Sequence, residues 1–324
     1  MKVFFPNSAF IKNIENFLKK LVLDEPGKLD VSFHERWVSV HPVVLAMTGA
    51  LAMKCKLVDG EITVNEITAA SKLYFKRMGL LDMLDAGNEW NLKASEEAGR
   101  FIGLRHIQNA TELASFMTDL IPLLHTSPTQ FVPIQYVVSE VVRNSFEHSK
   151  SEMGVVVCAQ YFKKANRVSV GIADCGVGIL QHISKNHAVH THSEAIRLAL
   201  RPGITGTTSN IGGSESNAGA GLFFTKSITR ASQDYMMIYS GNTLFKLKKG
   251  KPDKAGILHL YADPLKDKPT ILSDMPFWQG TVVGIDITSG QSGAFESLME
   301  LIRNVYHLDV QSKKKEQFKK PRFT

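Results

Sequence analysis

The sequence predicts an α/β protein in two parts. Strand-like and helix-like segments alternate over residues 1–100, and a long helix with a polar stripe precedes two apolar strands that form a hairpin. A glycine-rich segment at 217–221 then opens a further helix. A chain of 324 residues is long enough for two domains. We expect one domain over 1–100, a second over 101–310, and a basic, disordered tail over 311–324.

The first hundred residues alternate between two apolar patterns. Short apolar runs bounded by turn residues predict strands, and apolar side chains three or four residues apart predict helices. The expected strands lie at 1–5, 29–33 and 62–64, and the expected helices at 10–21, 42–55 and 65–79.

Residues 101–125 also have apolar side chains at helical spacing and predict a helix. His106 lies in this segment, without the acidic neighbour and downstream proline of a histidine-kinase phosphoacceptor helix. We therefore expect it to be an ordinary helix residue.

The segment SEVVRNSFEHS, residues 139–149, carries three polar side chains four residues apart within an apolar helix expected over 133–149. Glu140, Asn144 and His148 form one stripe, because positions i, i+4 and i+8 share a helix face. A buried polar group must be paired or used. The helix alone leaves open a solvated stripe and a functional one.

Composition and charge exclude a basic nucleic-acid-binding body. A hydrophobic content of 44% and a charged content of 21% are ordinary for a soluble globular protein. Six basic residues after position 312 outweigh Glu316 and supply +5 of the formal +7. Contact with nucleic acid or another acidic partner is therefore left open only for the tail, where a disordered, solubilising end is favoured.

The cysteines and the apolar runs favour a cytoplasmic protein without membrane contact. Cys55, Cys158 and Cys175 are widely spaced and odd in number, which supports neither a disulfide framework nor a CxxC metal site. No uncharged apolar run approaches the roughly 18 residues of a membrane span. Pro6 and Lys12 come too early for a secretory signal.

Two short glycine motifs have the form of ligand-binding loops. DCGVG places Asp174 at the end of a strand, where an ionised carboxylate can accept a hydrogen bond from an exocyclic amine such as that of adenine. Gly176 and Gly178 permit close approach of the backbone. NAGAGL, residues 217–222, sets glycines before a helix, an arrangement that binds phosphate. A simple turn and a flexible hinge are the alternatives.

The order of these motifs resembles that of the GHKL (histidine-kinase-like, Bergerat fold) ATPase superfamily. From Pro133 to Ile287 come Glu-x3-Asn on a helix, a strand ending in DxGxG, a polar lid at about 180–218, GxG-Leu opening a helix, and a strand beginning Gly-Thr. The histidine four residues after the asparagine is nearest to the anti-sigma serine-kinase branch. The resemblance implies an α+β sandwich, a Bergerat-type mixed sheet with helices on one face, and a site for ATP and Mg²⁺.

The resemblance also implies a role for each motif residue. Asn144 matches the Mg²⁺-ligating asparagine, and Glu140 matches the glutamate that orients or deprotonates the attacking water. Asp174 matches the adenine-reading aspartate, and Thr281 the threonine that supports it through its hydroxyl. The implied nucleotide-binding residues are Asn144, Asp174, Gly176, Gly178, Gly219, Ala220, Gly221, Leu222 and Thr281. His148 is less transferable, and a packed histidine at the helix end is the alternative.

Residues 1–100 resemble a STAS domain, the fold of anti-sigma-factor antagonists. The resemblance lies in a strand, a long Ala/Leu-rich helix, and the stretch KLYFKRMGLLDML with its Gly79-Leu80 pair. The family's phosphorylatable Ser or Thr begins the apolar helix, where this chain has Ser39 nearby but His41-Pro42 at the matching site. This departure favours a structural or dimerising role over a phosphoswitch.

The lid and the helix after it contain further polar residues. The lid is rich in Gly, Ser, Thr and Asn and is expected to be mobile without ligand. His187, His190 and His192 suggest zinc, but no Cys or carboxylate completes a set of four ligands, which favours a polar lid segment. Lys226 either neutralises phosphate or lies on a solvated face.

The sequence leaves three functions open. The first is an Mg-ATP-binding ATPase that acts as a nucleotide-dependent switch on a protein partner, with the first domain as sensor or assembly platform. The second is a protein serine/threonine kinase of the anti-sigma type, although its lid is longer than in those compact kinases. The third is a non-catalytic nucleotide-binding module, and the presence of Glu140 favours the first over the third.

Overall fold

The computed structural model describes residues 1–86, 101–123, 128–148, 151–208, 221–250, 252–254, 259–288 and 295–318. These residues form a mixed α/β protein with a seven-stranded sheet, a three-stranded sheet and a two-stranded pair. Within them, no helix has both the length and the apolar composition that a membrane crossing requires.

The first unit is built on a small parallel sheet. Its strands are β1 Lys2–Phe5, β2 Ser8–Ala9, β3 Lys28–Phe33, β4 Ser39–Val40 and β5 Glu61–Val64, and its helices are α1 Glu15–Leu18, α2 Pro42–Lys56, α3 Lys72–Arg77 and α4 Leu80–Met83. The sheet has the order β1–β3–β5, while β2 and β4 form a separate parallel pair. The predicted strands at 1–5, 29–33 and 62–64 and the helix from Pro42 are confirmed.

Two predicted helices of this unit are shorter than expected. Residues 10–21 contain only a 3-10 turn and α1, because the Asn13 side chain accepts a hydrogen bond from the Phe10 backbone N–H at 2.9 Å and closes a local turn. The helix expected from position 65 begins at Lys72. Gly79 follows it with a φ of 71°, the left-handed conformation that ends helices, so the predicted end is confirmed.

The large sheet has seven strands, all paired antiparallel. They are β6 Phe101–Ile107, β7 Val155–Phe162, β8 Arg167–Ala173, β9 Met236–Gly241, β10 Thr243–Leu247, β11 Thr270–Leu272 and β12 Trp278–Thr288. Their order is β11–β10–β9–β12–β8–β7–β6. The mixed sheet that the resemblance implied is therefore wrong for the strands described. The β7–β8 and β9–β10 connections are short hairpins, which impose antiparallel pairing, and β12 runs antiparallel to both its neighbours.

Helices cover both faces of this sheet. The remaining helices are α5 Ala110–Leu123, α6 Pro128–His148, α7 Gly178–Ile183, α8 His192–Ala199, α9 Gly221–Ala231 and α10 Phe295–Phe318, and they share one apolar core on one face. On the other face, α2 shares a core with the first unit and with sheet residues such as Cys158 and Trp278. The helices of the second domain therefore lie on one face, as expected, and α2 of the first domain covers the other face.

Helix α2 approaches the sheet as closely as backbone permits. A Cβ added to Gly171 of β8 would lie 2.3 Å from the Val43 backbone nitrogen, so only glycine fits there. His41 caps the helix with Nδ1, which accepts the Val43 N–H at 3.0 Å, and its Nε2 lies 3.2 Å from Asp286 of β12. The phosphoswitch position of the STAS resemblance is thus occupied by a buried histidine that anchors α2 to the large sheet.

Two predictions at the ends of the second domain are wrong. Residues 101–107 form the edge strand β6 rather than a helix, and His106 pairs there with Val156 of β7. The partner strand β7 is distant in the sequence, so the local apolar pattern of residues 101–107 does not indicate this pairing. Helix α10 extends to Phe318, so residues 311–318 are helical, with an ion pair between Lys313 and Asp309 one turn earlier. Residues 319–324 lie outside the described chain.

Candidate functional site

Helix α6 presents the predicted polar stripe on its partly buried surface. It starts at Pro128, five residues earlier than predicted, because proline is favoured at a first helical position. Glu140 and Asn144 are both partly buried, and Glu140 Oε1 lies 3.0 Å from Arg143 Nη1. His148 is the last residue of the helix, and its side chain lies outside the described set.

The start of α9 lies directly against this stripe. A Cβ added to Gly221 would be 2.6 Å from Glu140 Oε2 and 3.1 Å from Asn144 Nδ2. Glycine is therefore required if both side chains keep these positions. The structure thus brings the polar stripe of SEVVRNSFEHS together with the start of the helix that NAGAGL opens. Leu222 packs against the core, while Gly219 and Ala220 lie outside the described residues.

Asp174 is buried at the end of β8 with half of its carboxylate unused. It is 1% exposed, and Oδ1 accepts hydrogen bonds from the backbone N–H groups of Gly176 at 2.9 Å and Thr281 at 3.2 Å. No donor of the described chain reaches Oδ2 in hydrogen-bond geometry. Such an orphaned acceptor suits a ligand that donates a hydrogen bond.

The electrostatics of Asp174 follow from this burial. Loss of solvation raises the pKa of Asp174 to about 6, against the lowering effect of the bonds from Gly176 and Thr281 and of the nearby Ser145 hydroxyl. The Ser145 hydroxyl donates its proton to Val141 O at 3.2 Å, so it does not also donate to Asp174 Oδ2. Because Ser145 follows Asn144, α6 touches the DCGVG motif as well as the start of α9.

The predicted residues around Asp174 are brought together, and Thr281 contacts Asp174 through its backbone. Its backbone, not its hydroxyl, carries the described contacts, since Asp174 N–H donates to Thr281 O at 2.9 Å and Thr281 N–H donates back to Oδ1. Gly178 has a φ of 77°, and a Cβ there would meet Ser240 Oγ at 3.0 Å and Gly280 O at 3.1 Å. Both predicted positions therefore shape the surroundings of Asp174 through backbone.

Sequence reasoning missed three residues that hold this arrangement. Gly280 has a φ of 105°, and a Cβ there would lie 2.3 Å from Asp174 O. Ser240 Oγ donates to Gly280 O at 2.7 Å and accepts from Ile179 N–H, while Trp278 Nε1 donates to Asp174 O at 3.0 Å. Gly280 could have been found from its place before Thr281. Ser240 and Trp278 carry no signal in the sequence.

Lys226 belongs to a buried ion pair. It is 1% exposed, its Nζ lies 2.8 Å from Asp267 Oδ2, and it also donates to Tyr261 O. Arg230 Nε lies 3.4 Å from the other carboxylate oxygen. The solvated face considered for Lys226 is therefore wrong, and its charge is directed at Asp267 rather than at the start of α9.

The lid histidines make separate contacts. His187 bonds to Thr205 O at 2.8 Å, and His192 packs edge-on against Phe277. Across the part of the chain that the structure describes, no three His, Cys, Asp or Glu side chains form a group suited to a metal ion.

No protein-family model matches the sequence, and no curated protein matches it.

Proposed function

We propose that the chain binds Mg-ATP and hydrolyses it slowly, and that it works as a nucleotide-dependent conformational switch. The observation that carries the proposal is the convergence of three motifs on α6. Gly221 lies against Glu140 and Asn144. Ser145, which follows Asn144 on α6, lies beside Asp174.

Asp174 is the proposed contact for the adenine base. A buried acceptor without a donor costs on the order of 1–3 kcal/mol, and Oδ2 is such an acceptor. The exocyclic amine of adenine would supply the missing hydrogen bond. The hydrogen bonds to Oδ1 hold the carboxylate in one orientation before the base arrives.

Asn144 and the start of α9 are proposed to hold the triphosphate and its magnesium. A hard cation prefers oxygen ligands, which the Asn144 amide can supply. Helix α9 has eleven residues, and its first N–H groups can bind anionic oxygens. Bound Mg²⁺ would neutralise charge on the phosphate oxygens. The absence of a side chain at Gly221 lets Glu140 and Asn144 lie directly beside the start of this helix.

Glu140 is the proposed base for the attacking water. Arg143 holds Oε1 at 3.0 Å, while Oε2 is the oxygen nearest Gly221. This pairing orients the carboxylate toward the start of α9. A general base must lie within hydrogen-bond reach of the proton that it removes, and orientation of this kind supports that role.

The switch proposal rests on α2. This helix packs on β8 and β12, the strands that lead to Asp174 and Thr281. A change in these strand ends on nucleotide binding would therefore reach the first unit, where a protein partner or a second copy of the chain would respond.

The binding proposal is tested with Asp174→Asn. This variant keeps the acceptor for Gly176 and Thr281 but offers an amide donor where the adenine amine needs an acceptor. We expect calorimetry to give an ATP affinity lowered by at least about tenfold. Asp82→Asn, at a carboxylate that is 57% exposed, is the control. Wild-type affinity in Asp174→Asn would exclude this adenine site.

The hydrolysis proposal is tested with Glu140→Gln and γ-labelled ATP. We expect unchanged binding and phosphate release slowed by about 10² or more. Unchanged release would remove Glu140 from the chemistry. Incubation of the wild-type protein with labelled ATP and cell extract distinguishes the alternative, because labelled protein in place of free phosphate would identify a kinase.

A further inference from the structure

A cavity of about 250 Å³ lies between α2 and the segment that leads into β12. Its walls include Leu51 and Lys54 of α2, Cys175 after β8, and Phe277, Trp278 and Gln279. Asp24 and Pro26 of the first unit complete one side. The lining combines apolar side chains with the polar groups of Asp24, Lys54 and Gln279, so a ligand there would meet both kinds of surface.

The cavity lies on the opposite side of the chain from the Asp174 carboxylate. The Asp174 side chain has Ser145 of α6 as a neighbour, whereas the Cys175 thiol lies 3.8 Å from Ala50 O of α2. Successive side chains of an extended chain point to opposite faces, so the Asp174 and Cys175 side chains lie in different spaces. The cavity is therefore distinct from the proposed adenine site.

Three lining residues nevertheless connect the cavity to Asp174. Trp278 is 1% exposed and donates its indole N–H to Asp174 O at 3.0 Å. Cys175 is covalently adjacent to Asp174. Gln279 precedes Gly280, whose backbone is packed so tightly on Asp174 that a Cβ would lie 2.3 Å from its carbonyl oxygen. A displacement of these three lining residues would therefore change the position of the Asp174 carboxylate.

The polar groups of the cavity indicate the ligand chemistry. Lys54 lies beside Cys175 and donates to Gln279 Oε1 at 3.1 Å, so α2 and β12 are bridged by an amide contact that a carboxylate could replace. An ammonium–carboxylate hydrogen bond, in which both partners are charged, is stronger than this bond from an ammonium to a neutral amide oxygen. Leu51, Phe277 and Trp278 offer an apolar surface for the rest of the molecule.

We propose that this cavity is a second ligand site, for a small carboxylic acid with an apolar body, and that its occupation changes nucleotide affinity through Trp278 and Cys175. The carboxylate replaces Gln279 on Lys54, and the apolar body lies between Leu51 and the two aromatic side chains. The volume is below the roughly 300–1,000 Å³ of sites for drug-sized ligands, which limits the body to about one ring. Asp24 accepts an amino or hydroxyl group where the ligand carries one.

The first experiment measures binding without nucleotide, so it does not rest on the proposed function. The probes are 3-phenylpropionate and L-phenylalanine, titrated to about 10 mM, since ligands of this size bind weakly. The readout is the rate of alkylation of Cys175 by N-ethylmaleimide, followed by mass spectrometry. Cys175 is half-buried, while Cys55 and Cys158 are buried and serve as internal references. Burial raises the pKa of Cys175 to about 12, so the reaction is followed over hours at alkaline pH.

We expect at least one acid to slow Cys175 alkylation at least about threefold in the wild-type protein, and the neutral 3-phenylpropanamide to have no such effect. Lys54→Met keeps the apolar stem of the side chain and removes the charge, so it should abolish the protection. Protection by neither acid, equal protection by the amide, or unchanged protection in Lys54→Met would overturn the site.

The second experiment measures the coupling, which rests on the proposed function. The ATP dissociation constant is determined by calorimetry with and without the acid that protects Cys175. We expect a change of at least about threefold in the wild-type protein and none in Lys54→Met. An unchanged constant would overturn the coupling. If ATP does not bind at all, the proposed function fails while protection of Cys175 still decides the second site.

Discussion

Replacement of Gly221 by alanine tests the contact between the start of α9 and the polar stripe of α6. The added Cβ would lie 2.6 Å from Glu140 Oε2, whereas ordinary contact begins at about 3.4 Å, so the carboxylate must retreat by about 0.8 Å. Asn144 Nδ2, at 3.1 Å, must yield by a smaller amount. Both atoms are at the ends of side chains and can move without displacing backbone.

The expected effects on stability and on activity differ in sign. Alanine is more favourable than glycine by about 0.8–1.0 kcal/mol inside a helix and by less at a first helical position such as 221, so the free energy of unfolding should be unchanged or slightly higher. A catalytic group misplaced by about 1 Å can cost roughly 10² in rate. We therefore expect ATP turnover by Gly221→Ala to fall about 100-fold, equivalent to about 2.7 kcal/mol in the activation barrier, with ATP affinity within about tenfold of wild type.

The assay combines phosphate release, calorimetry with ATP and urea denaturation. Gly27→Ala is the control, because a Cβ there meets nothing within 4 Å. Wild-type turnover in a folded Gly221→Ala protein would show that the position of Glu140 does not matter for hydrolysis. A loss of stability of more than about 2 kcal/mol would instead show that the contact is structural and that the reasoning about side-chain retreat is wrong.

Four further predictions concern Asp174, the α2 contact and the buried ion pair. Because burial raises the Asp174 pKa to about 6, the ionised fraction of this carboxylate falls about tenfold between pH 7 and pH 5. The calorimetric dissociation constant for ATP should therefore rise about tenfold over this range in the wild-type protein, and it should not change with pH in Asp174→Asn. The same raised pKa stabilises the nucleotide-free fold fully below about pH 4, and urea titrations should show this contribution lost as pH rises through about 6. Gly171→Ala puts a Cβ 2.3 Å from the Val43 backbone nitrogen, and urea denaturation should show a loss of about 2 kcal/mol or more, with wild-type stability as the refuting result. Lys226→Met leaves the buried Asp267 with Arg230 alone, and the free energy of unfolding should fall by about 3 kcal/mol in the same assay. Adding Asp267→Leu should recover most of this loss, and an additive loss in the double variant would contradict the prediction.

The sequence by itself determined the elements whose signals are local. The β7–β8 hairpin, α2 and α6 follow from apolar runs, a proline at a helix start and helical spacing, all of which act over a few residues. It also indicated that Asp174 ends a strand and that Gly221 opens a helix, since each statement concerns only neighbouring residues.

Where the sequence failed, the deciding contact was distant. Residues 101–107 have no strong strand pattern, and pairing with β7 made them an edge strand. Strands β10 and β11 were not predicted at all, because each is short and depends on its neighbour in the sheet. Local patterns also did not indicate that α2, more than a hundred residues before β8, covers the second face of the sheet.

Tertiary structure alone decided the candidate site. Lys226 carries no sequence signal for its partner 41 residues away. Asp174 Oδ2 is left without a donor from the described chain, while Gly176 and Thr281 donate to Oδ1. The approach of Gly221 to Glu140 likewise depends on how α9 packs on α6. Local preferences fix which residues form a helix or strand, whereas close packing between distant elements fixes which polar atoms meet and which are left without a partner.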